Sequence, residues 1–168
     1  MTWQRIIIAL RAVLYATSFV LLWAWLAVSL RRFDPGLPFG VPPWLRPVGI
    51  VVGLAGALLA AWCVATFITK GQGTPAPFDP PRMFVASGPY RYVRNPMYIG
   101  GLMVLLGAGL ALASPSIILL GGVLGLIAHL FVLLYEEPAL QRRFGKSYLR
   151  YKASINRWLP RPPSPEGS

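Results

Sequence analysis

One cysteine, Cys63, one histidine, His129, and five acidic residues are all that a chain of 168 residues contains of those types. A single cysteine excludes an intramolecular disulfide and a cysteine-rich metal centre, and its place in an apolar run makes Cys63 a small buried hydrophobe. Charge is scarce too. Charged residues make up 12% and hydrophobic ones 55%, with a mean hydropathy of +0.57, a balance that excludes an ordinary soluble domain. Asp34 and Asp79 fall in loops and Glu166 in the tail, so Glu136 and Glu137 are where negative charge meets the apolar part of the chain.

What is present in quantity is hydrophobic length. Crossing a hydrocarbon core of roughly 30 Å takes about 20 apolar residues in a helix, because no water is there to satisfy an open backbone. The sequence offers such runs at about Ile6 to Leu30, Pro47 to Thr69, Pro96 to Ala113 and Pro115 to Tyr135, predicting an all-α polytopic membrane bundle of about four transmembrane helices. The first run holds Arg11 near its end and continues through Trp23 and Trp25 to a basic stop at Arg31 and Arg32, the pattern of a retained span rather than a cleaved signal. Only Ser114 separates the last two runs, which predicts a tight antiparallel hairpin. Recurrent small residues, among them Gly53, Gly56, Gly100 and Gly107, suit close helix approach.

The formal net charge of +11 is distributed unevenly. Lys70, Arg82, Arg91 and Arg94 lie between the second and third runs, and Arg142, Arg143, Lys146, Arg150, Lys152, Arg157 and Arg161 follow the fourth. With an even number of spans these regions share a side with Arg5, opposite Arg31, Arg32 and Arg46, so the positive-inside rule predicts both termini and the central loop in the cytoplasm. The charge therefore reports topology and contact with membrane lipids, not nucleic acid.

The segment GQGTPAPFDPP, from Gly71 to Pro81, is too rich in proline for a regular helix and reads as a stiff connector. After Pro138, Leu140, Phe144, Tyr148, Tyr151 and Ile155 recur at spacings of three or four while the basic residues lie off that stripe. This predicts a C-terminal amphipathic helix at the membrane interface, relaxed at Gly145. The tail RPPSPEGS has the composition of a disordered segment. The chain divides into residues 1–70, an N-terminal pair of transmembrane helices, residues 71–160, a loop, hairpin and amphipathic helix, and a tail of residues 161–168.

Ionisable residues inside a span are costly and are candidates for function. At 100° per residue, the step from His129 to Glu136 returns to nearly the same helix face, with Glu137 a quarter turn away. Interfacial pairing of the two glutamates with nearby arginines, and a His129 bonded to a backbone carbonyl, are the plainer alternatives. A second group of polar residues lies in SGPYRYVRNPMYIGG, from Ser87 to Gly101. Gly88 and Pro89 make a turn, and Pro96 suits the first turn of the third span, whose free amides favour a carboxylate or phosphate. Tyr90, Arg94, Asn95 and Tyr98 then gather at the cytoplasmic mouth.

The motifs GPYRYVRNPMYIGG and EEPALQRRFGKSYLRYKASINRWLP, on either side of a hydrophobic hairpin, resemble the isoprenylcysteine carboxyl methyltransferases and their bacterial relatives, which include phospholipid methyltransferases. The resemblance covers about Gly71 to Pro160. It implies a membrane methyltransferase core with S-adenosylmethionine bound at the cytoplasmic face and a lipophilic or small-molecule acceptor. Carried over by position, it implies cofactor contacts at Arg82, Met83, Phe84, Val85, Tyr90, Arg94, Asn95, Pro96, Met97, Tyr98 and Glu136. Two positions depart from the family. Asn95 replaces the usual histidine before proline, and Val132 stands where the eukaryotic prenylcysteine enzymes carry a substrate-contacting arginine, which argues against a prenylcysteine carboxylate.

Methyl transfer from a sulfonium needs alignment more than acid or base, so no metal is called for. A carboxylate acceptor needs no base; an amine or thiol must lose a proton, and His129 and Glu137 are the candidates to take it. The competing readings are an NADPH-dependent membrane reductase of the sterol-reductase type and a non-catalytic assembly or transport protein.

Overall fold

The computed structural model describes residues 2–71 and 84–161, and among these every regular element is helical. Helix α1 runs Thr2–Leu30, α2 Arg46–Thr66, α3 Pro96–Ala111, α4 Pro115–Phe131 and α5 Glu137–Ser154. Short 3-10 turns, Arg31–Gly36, Pro43–Leu45 and Gly88–Arg91, occupy the connections, and single π turns extend α2 through Phe67–Gly71 and α4 through Val132–Glu136. Arg82 and Met83, with most of the connector Gly71 to Pro81 and the tail beyond Arg161, lie outside the described residues.

Among the described residues three helices are long and apolar enough to cross a membrane, within Val13–Gly36, Pro43–Gly71 and Pro115–Ser154. The last stretch joins α4 to α5, but its continuous apolar run stops at Tyr135, so the crossing segment ends with the π turn and Glu137 opens α5 outside it. Helix α3 is apolar but has 16 residues. At 1.5 Å per residue that is roughly 24 Å, short of a hydrocarbon core of roughly 30 Å. The expected run to Ala113 is cut because Leu112 caps the helix and Ala113 turns back with φ 50° into the Ser114 bend.

Side chains such as Leu14, Phe19, Val51, Leu58 and Leu126 are more than half exposed, as befits helices whose outer faces meet lipid. The tightest packing is between α2 and α3. A Cβ added at Gly56 would lie 2.6 Å from the Gly100 carbonyl oxygen, and one at Gly100 would lie 2.9 Å from that of Gly56. The two backbones touch because neither helix has a side chain there.

At the opposite end from α5, Asp34 fastens the turn after α1 to the start of α4. Its Oδ1 accepts from Ser114 Oγ at 2.9 Å and from the Ser116 amide at 3.0 Å, satisfying donors at a helix N-terminus that the local sequence leaves open. This remote cap sets α1 beside α4.

Candidate functional site

The site is built where the end of α2, the start of α3, the end of α4 and the C-terminal segment converge. Gly88, with φ 59°, and Pro89 form the turn expected of them, and any Cβ at Gly88 would meet Thr66 Oγ1 at 2.6 Å. The turn drives Tyr90 inward, where its buried ring lies edge-on to Phe67 at 5.2 Å and packs with Cys63 and Val85. Leu59 and Met97 complete this apolar floor, and Cys63 is wholly buried, as its surroundings led us to expect. Pro96 occupies the first turn of α3 and is buried.

From that floor α3 lifts Tyr98 toward α4. The Tyr98 hydroxyl donates to Glu136 Oε2 at 2.9 Å, and among the described residues Glu136 has no ion-pair partner. Glu137 is in the opposite situation. Arg94 Nη1 at 3.0 Å, Lys152 Nζ at 3.0 Å and Arg157 Nε at 2.6 Å surround its carboxylate, and Arg157 Nη2 adds a second hydrogen bond at 3.1 Å. Burial alone would raise this carboxyl, but hydrogen bonds from Arg157 and Lys152 and the charges of Arg94 and Arg157 outweigh it and bring the group down to about 2. A carboxylate so held is a poor proton acceptor near neutrality.

The straight-helix phase that aligned His129 with Glu136 does not carry through the chain. The π turn Val132–Glu136 inserts extra backbone between them, and one extra residue rotates the next stretch of helix by about 100°. His129 connects to the mouth by a different route. Trp158 Nε1 donates to His129 Nδ1 at 3.0 Å, and the Trp158 ring lies 6.4 Å from that of Tyr98 at 75°.

The C-terminal segment is therefore part of the site. Its backbone is laced to the stretch before α3: the Arg94 amide donates to Asn156 O at 2.9 Å and the Arg161 amide to Tyr92 O at 2.8 Å. Asn95, buried, donates from Nδ2 to Arg157 O at 3.1 Å and makes no side-chain cap on α3. Helix α5 breaks at Gly145, where φ is 50°. Its aromatic face then meets Phe84, whose ring centre is 5.3 Å from Phe144, 6.0 Å from Tyr148 and 5.1 Å from Tyr151. Tyr151 also donates to Tyr90 O at 2.6 Å.

Thus Phe84, Val85, Tyr90, Arg94, Asn95, Pro96, Met97, Tyr98 and Glu136 are brought to one end of the bundle, with His129 reached through Trp158. Sequence reasoning missed Trp158, Arg157 and Lys152 as site residues. Lys152 and Arg157 were visible only as cations among many, and nothing local marks which carboxylate a cation will find. An open cleft of about 410 Å³, lined by Leu133, Glu137, Pro138, Gln141, Arg142 and Lys152, adjoins the cluster.

Residues 46–147 match the phospholipid methyltransferase family, and the chain belongs to that family. The match takes in α2, whose generic apolar sequence carried no signature. Among curated proteins, the chain is 37% identical over 89 residues to the phosphatidylethanolamine N-methyltransferase of Paracoccidioides brasiliensis, covering 52% of this chain and 9% of that protein. It is 34% identical over 84 residues to the phosphatidylethanolamine N-methyltransferase of Talaromyces marneffei, covering 50% of this chain and 8% of that protein. The chain therefore matches less than a tenth of the length of these relatives. No solved structure matches it significantly.

Proposed function

We propose that this protein is an integral membrane methyltransferase that takes its methyl group from S-adenosylmethionine and delivers it to the amine of a phosphatidylethanolamine-type lipid at the cytoplasmic face. Family membership and the names of the matched relatives support methyl transfer over the reductase and non-catalytic readings. The observation that carries the reading is Glu136: a carboxylate at the end of an apolar crossing, oriented by Tyr98 and lacking a countercation among the described residues. In our reading α3, sheltered by α2, is the fourth crossing, which puts both termini and the basic segments in the cytoplasm.

The residues present fit a bound S-adenosylmethionine. Glu136 Oε1 is left to accept from ribose hydroxyls or an ammonium, and Arg94 keeps a buried Nε without a hydrogen-bond partner among the described residues, which suits a carboxylate. The rings of Phe84, Phe144 and Tyr148 supply faces for adenine and for a sulfonium. When bound, the cofactor supplies an electrophilic methyl: the acceptor's lone pair forms the new bond to carbon as the carbon–sulfur bond breaks and its electrons return to sulfur.

The protein's part is to bind, align and exclude water. Tyr98 fixes the direction of Glu136; Tyr90, Val85 and Met97 form the dry floor; α5 covers it. Glu137 holds Arg94, Lys152 and Arg157 together and takes no part in proton transfer. A lipid ammonium must shed a proton before its nitrogen can attack, and that proton passes to the water-accessible mouth.

Calorimetry on the purified protein with S-adenosylmethionine and with NADPH tests the cofactor, and radiolabelled methyl transfer into phosphatidylethanolamine vesicles tests the acceptor. Binding of the first alone with label in the lipid is expected. Binding of NADPH alone, or of neither, would overturn the reading.

A further inference from the structure

The contact between Trp158 and His129 fixes more than a position. An indole nitrogen can only donate a hydrogen bond, so the ring nitrogen it meets must accept. Trp158 Nε1 lies 3.0 Å from His129 Nδ1, with the two rings tilted by 37° at 6.0 Å. Nδ1 therefore carries a lone pair, and the imidazole proton resides on Nε2. Taking a proton at Nδ1 would break this bond, and Nε2 is already protonated. As held here, the ring offers one function without a partner among the described residues, an Nε2–H donor.

Its surroundings point to what it meets. His129 is half-buried on α4, and Leu126 and Leu133, which flank it on the same side of the helix at i−3 and i+4, are exposed at 61% and 39%, so this part of α4 opens on the bilayer. Seven residues, or roughly 10 Å of helix, separate it from the mouth where Glu136 sits. A donor at that depth, beside a lipid-facing surface and joined through Trp158 to the Tyr98 ring, is placed to engage an oxygen of a lipid whose head reaches the mouth.

We infer that His129 is a hydrogen-bond donor to an acceptor oxygen of the lipid substrate and not a base, and that Trp158 is the positioning residue that holds it in this tautomer. The lipid half of the inference rests on the methyltransferase reading; the tautomer half does not. In this role His129 contributes to binding and registering the lipid beneath the cofactor. The Trp158 bond also gives the C-terminal segment a share in lipid selection, since its displacement would free the ring to adopt the other tautomer.

Because His129 is the sole histidine in the chain, 15N-histidine labelling of the full protein in nanodiscs gives one pair of ring-nitrogen resonances. At pH 8 in phosphatidylcholine we expect a protonated Nε2 and an unprotonated, hydrogen-bonded Nδ1. In Trp158→Phe that single tautomer should give way to a mixture. A protonated Nδ1 in the parent protein, or no change in Trp158→Phe, would overturn the assignment irrespective of catalysis. For the lipid half, His129→Gln retains a donor near the Nε2 position but cannot act as a base, whereas His129→Phe has neither function. With phosphatidylethanolamine vesicles, Gln should keep kcat within about threefold and KM close to the parent, and Phe should raise KM about tenfold at similar kcat. Equal losses of kcat of about a hundredfold or more in both variants would instead make His129 the base. If methyl transfer were absent from the parent protein, a shift of the Nε2 resonance on adding phosphatidylethanolamine would still support lipid contact, and its absence would refute it.

Discussion

Tyr98, in the first turn of α3, donates its hydroxyl to Glu136 Oε2 at the end of the π turn that extends α4, across 2.9 Å. The bond joins two helices at the level where an apolar crossing meets water, and among the described residues the second carboxylate oxygen of Glu136 has no hydrogen-bond partner. Glu136→Gln keeps the shape and removes the charge, replacing charge-assisted hydrogen bonds of about 1.5 to 3 kcal/mol with neutral ones of roughly 1. We expect a three- to thirty-fold weaker affinity for S-adenosylmethionine by calorimetry. Tyr98→Phe should weaken it by less than tenfold, since it only loosens the carboxylate. Unchanged affinity in both variants would remove Glu136 from the cofactor site.

Glu137, its neighbour, should behave differently. Its carboxylate is only 5% exposed and holds Arg94, Lys152 and Arg157, so Glu137→Gln leaves cations crowded without a counter-charge. Breaking a buried pair costs about 3 to 5 kcal/mol. The lower figure applies here because Lys152 remains 38% exposed. Thermal unfolding in detergent should show a clear loss of stability in Glu137→Gln and little in Glu136→Gln; the reverse order would contradict the division of roles.

The same cluster sets an acid limit. The Glu137 carboxyl is held down at about 2 in the folded protein, against roughly 4.3 for an unperturbed glutamate. A depressed carboxyl contributes stability that is present in full above the unfolded value and is lost as pH falls through the folded one. Stability followed by tryptophan fluorescence should therefore decline from about pH 4.5 toward pH 2. Glu137→Gln should lack this component of the decline, and an identical acid profile in parent and variant would refute it.

Close contact of α2 and α3 predicts a sharp difference between two glycines. A side chain at Gly56 would press on the Gly100 carbonyl and on Met103 Cβ, both at 2.6 Å, whereas Gly101 has nothing within 4 Å. Backbone cannot step aside as a side chain can, so Gly56→Leu should cost about 1 to 3 kcal/mol or more. Gly101→Leu, facing open space, should be close to neutral in the same unfolding assay. Equal effects would mean that the helices do not pack as described.

Much of the architecture was legible because a membrane span is written in local composition: apolar length, a proline at the first turn of α3 and of α4, and basic flanks are properties of consecutive residues. The amphipathic stripe of α5 followed the same logic, and Phe84 supplied the surface against which Phe144, Tyr148 and Tyr151 pack. The motif before α3 could be located in the same way. Its internal wiring could not, since Asn95 finds its partner 62 residues away on Arg157 O. The π turn before Glu137 was also invisible, because nothing in the run VLLYE departs from the composition of an ordinary apolar helix.

By itself the sequence determined that the chain is an all-helical membrane protein with its polar chemistry concentrated at one end, because hydrophobic length and charge distribution need no knowledge of the fold. The tertiary structure decided which glutamate is free and which is neutralised, since Glu136 and Glu137 are identical residues one position apart. Three cations, from the stretch before α3 and from the C-terminal segment, converge on Glu137, whereas among the described residues a tyrosine alone reaches Glu136. A carboxylate's role depends on the charges and donors within about 4 Å of it, and only folding brings those together.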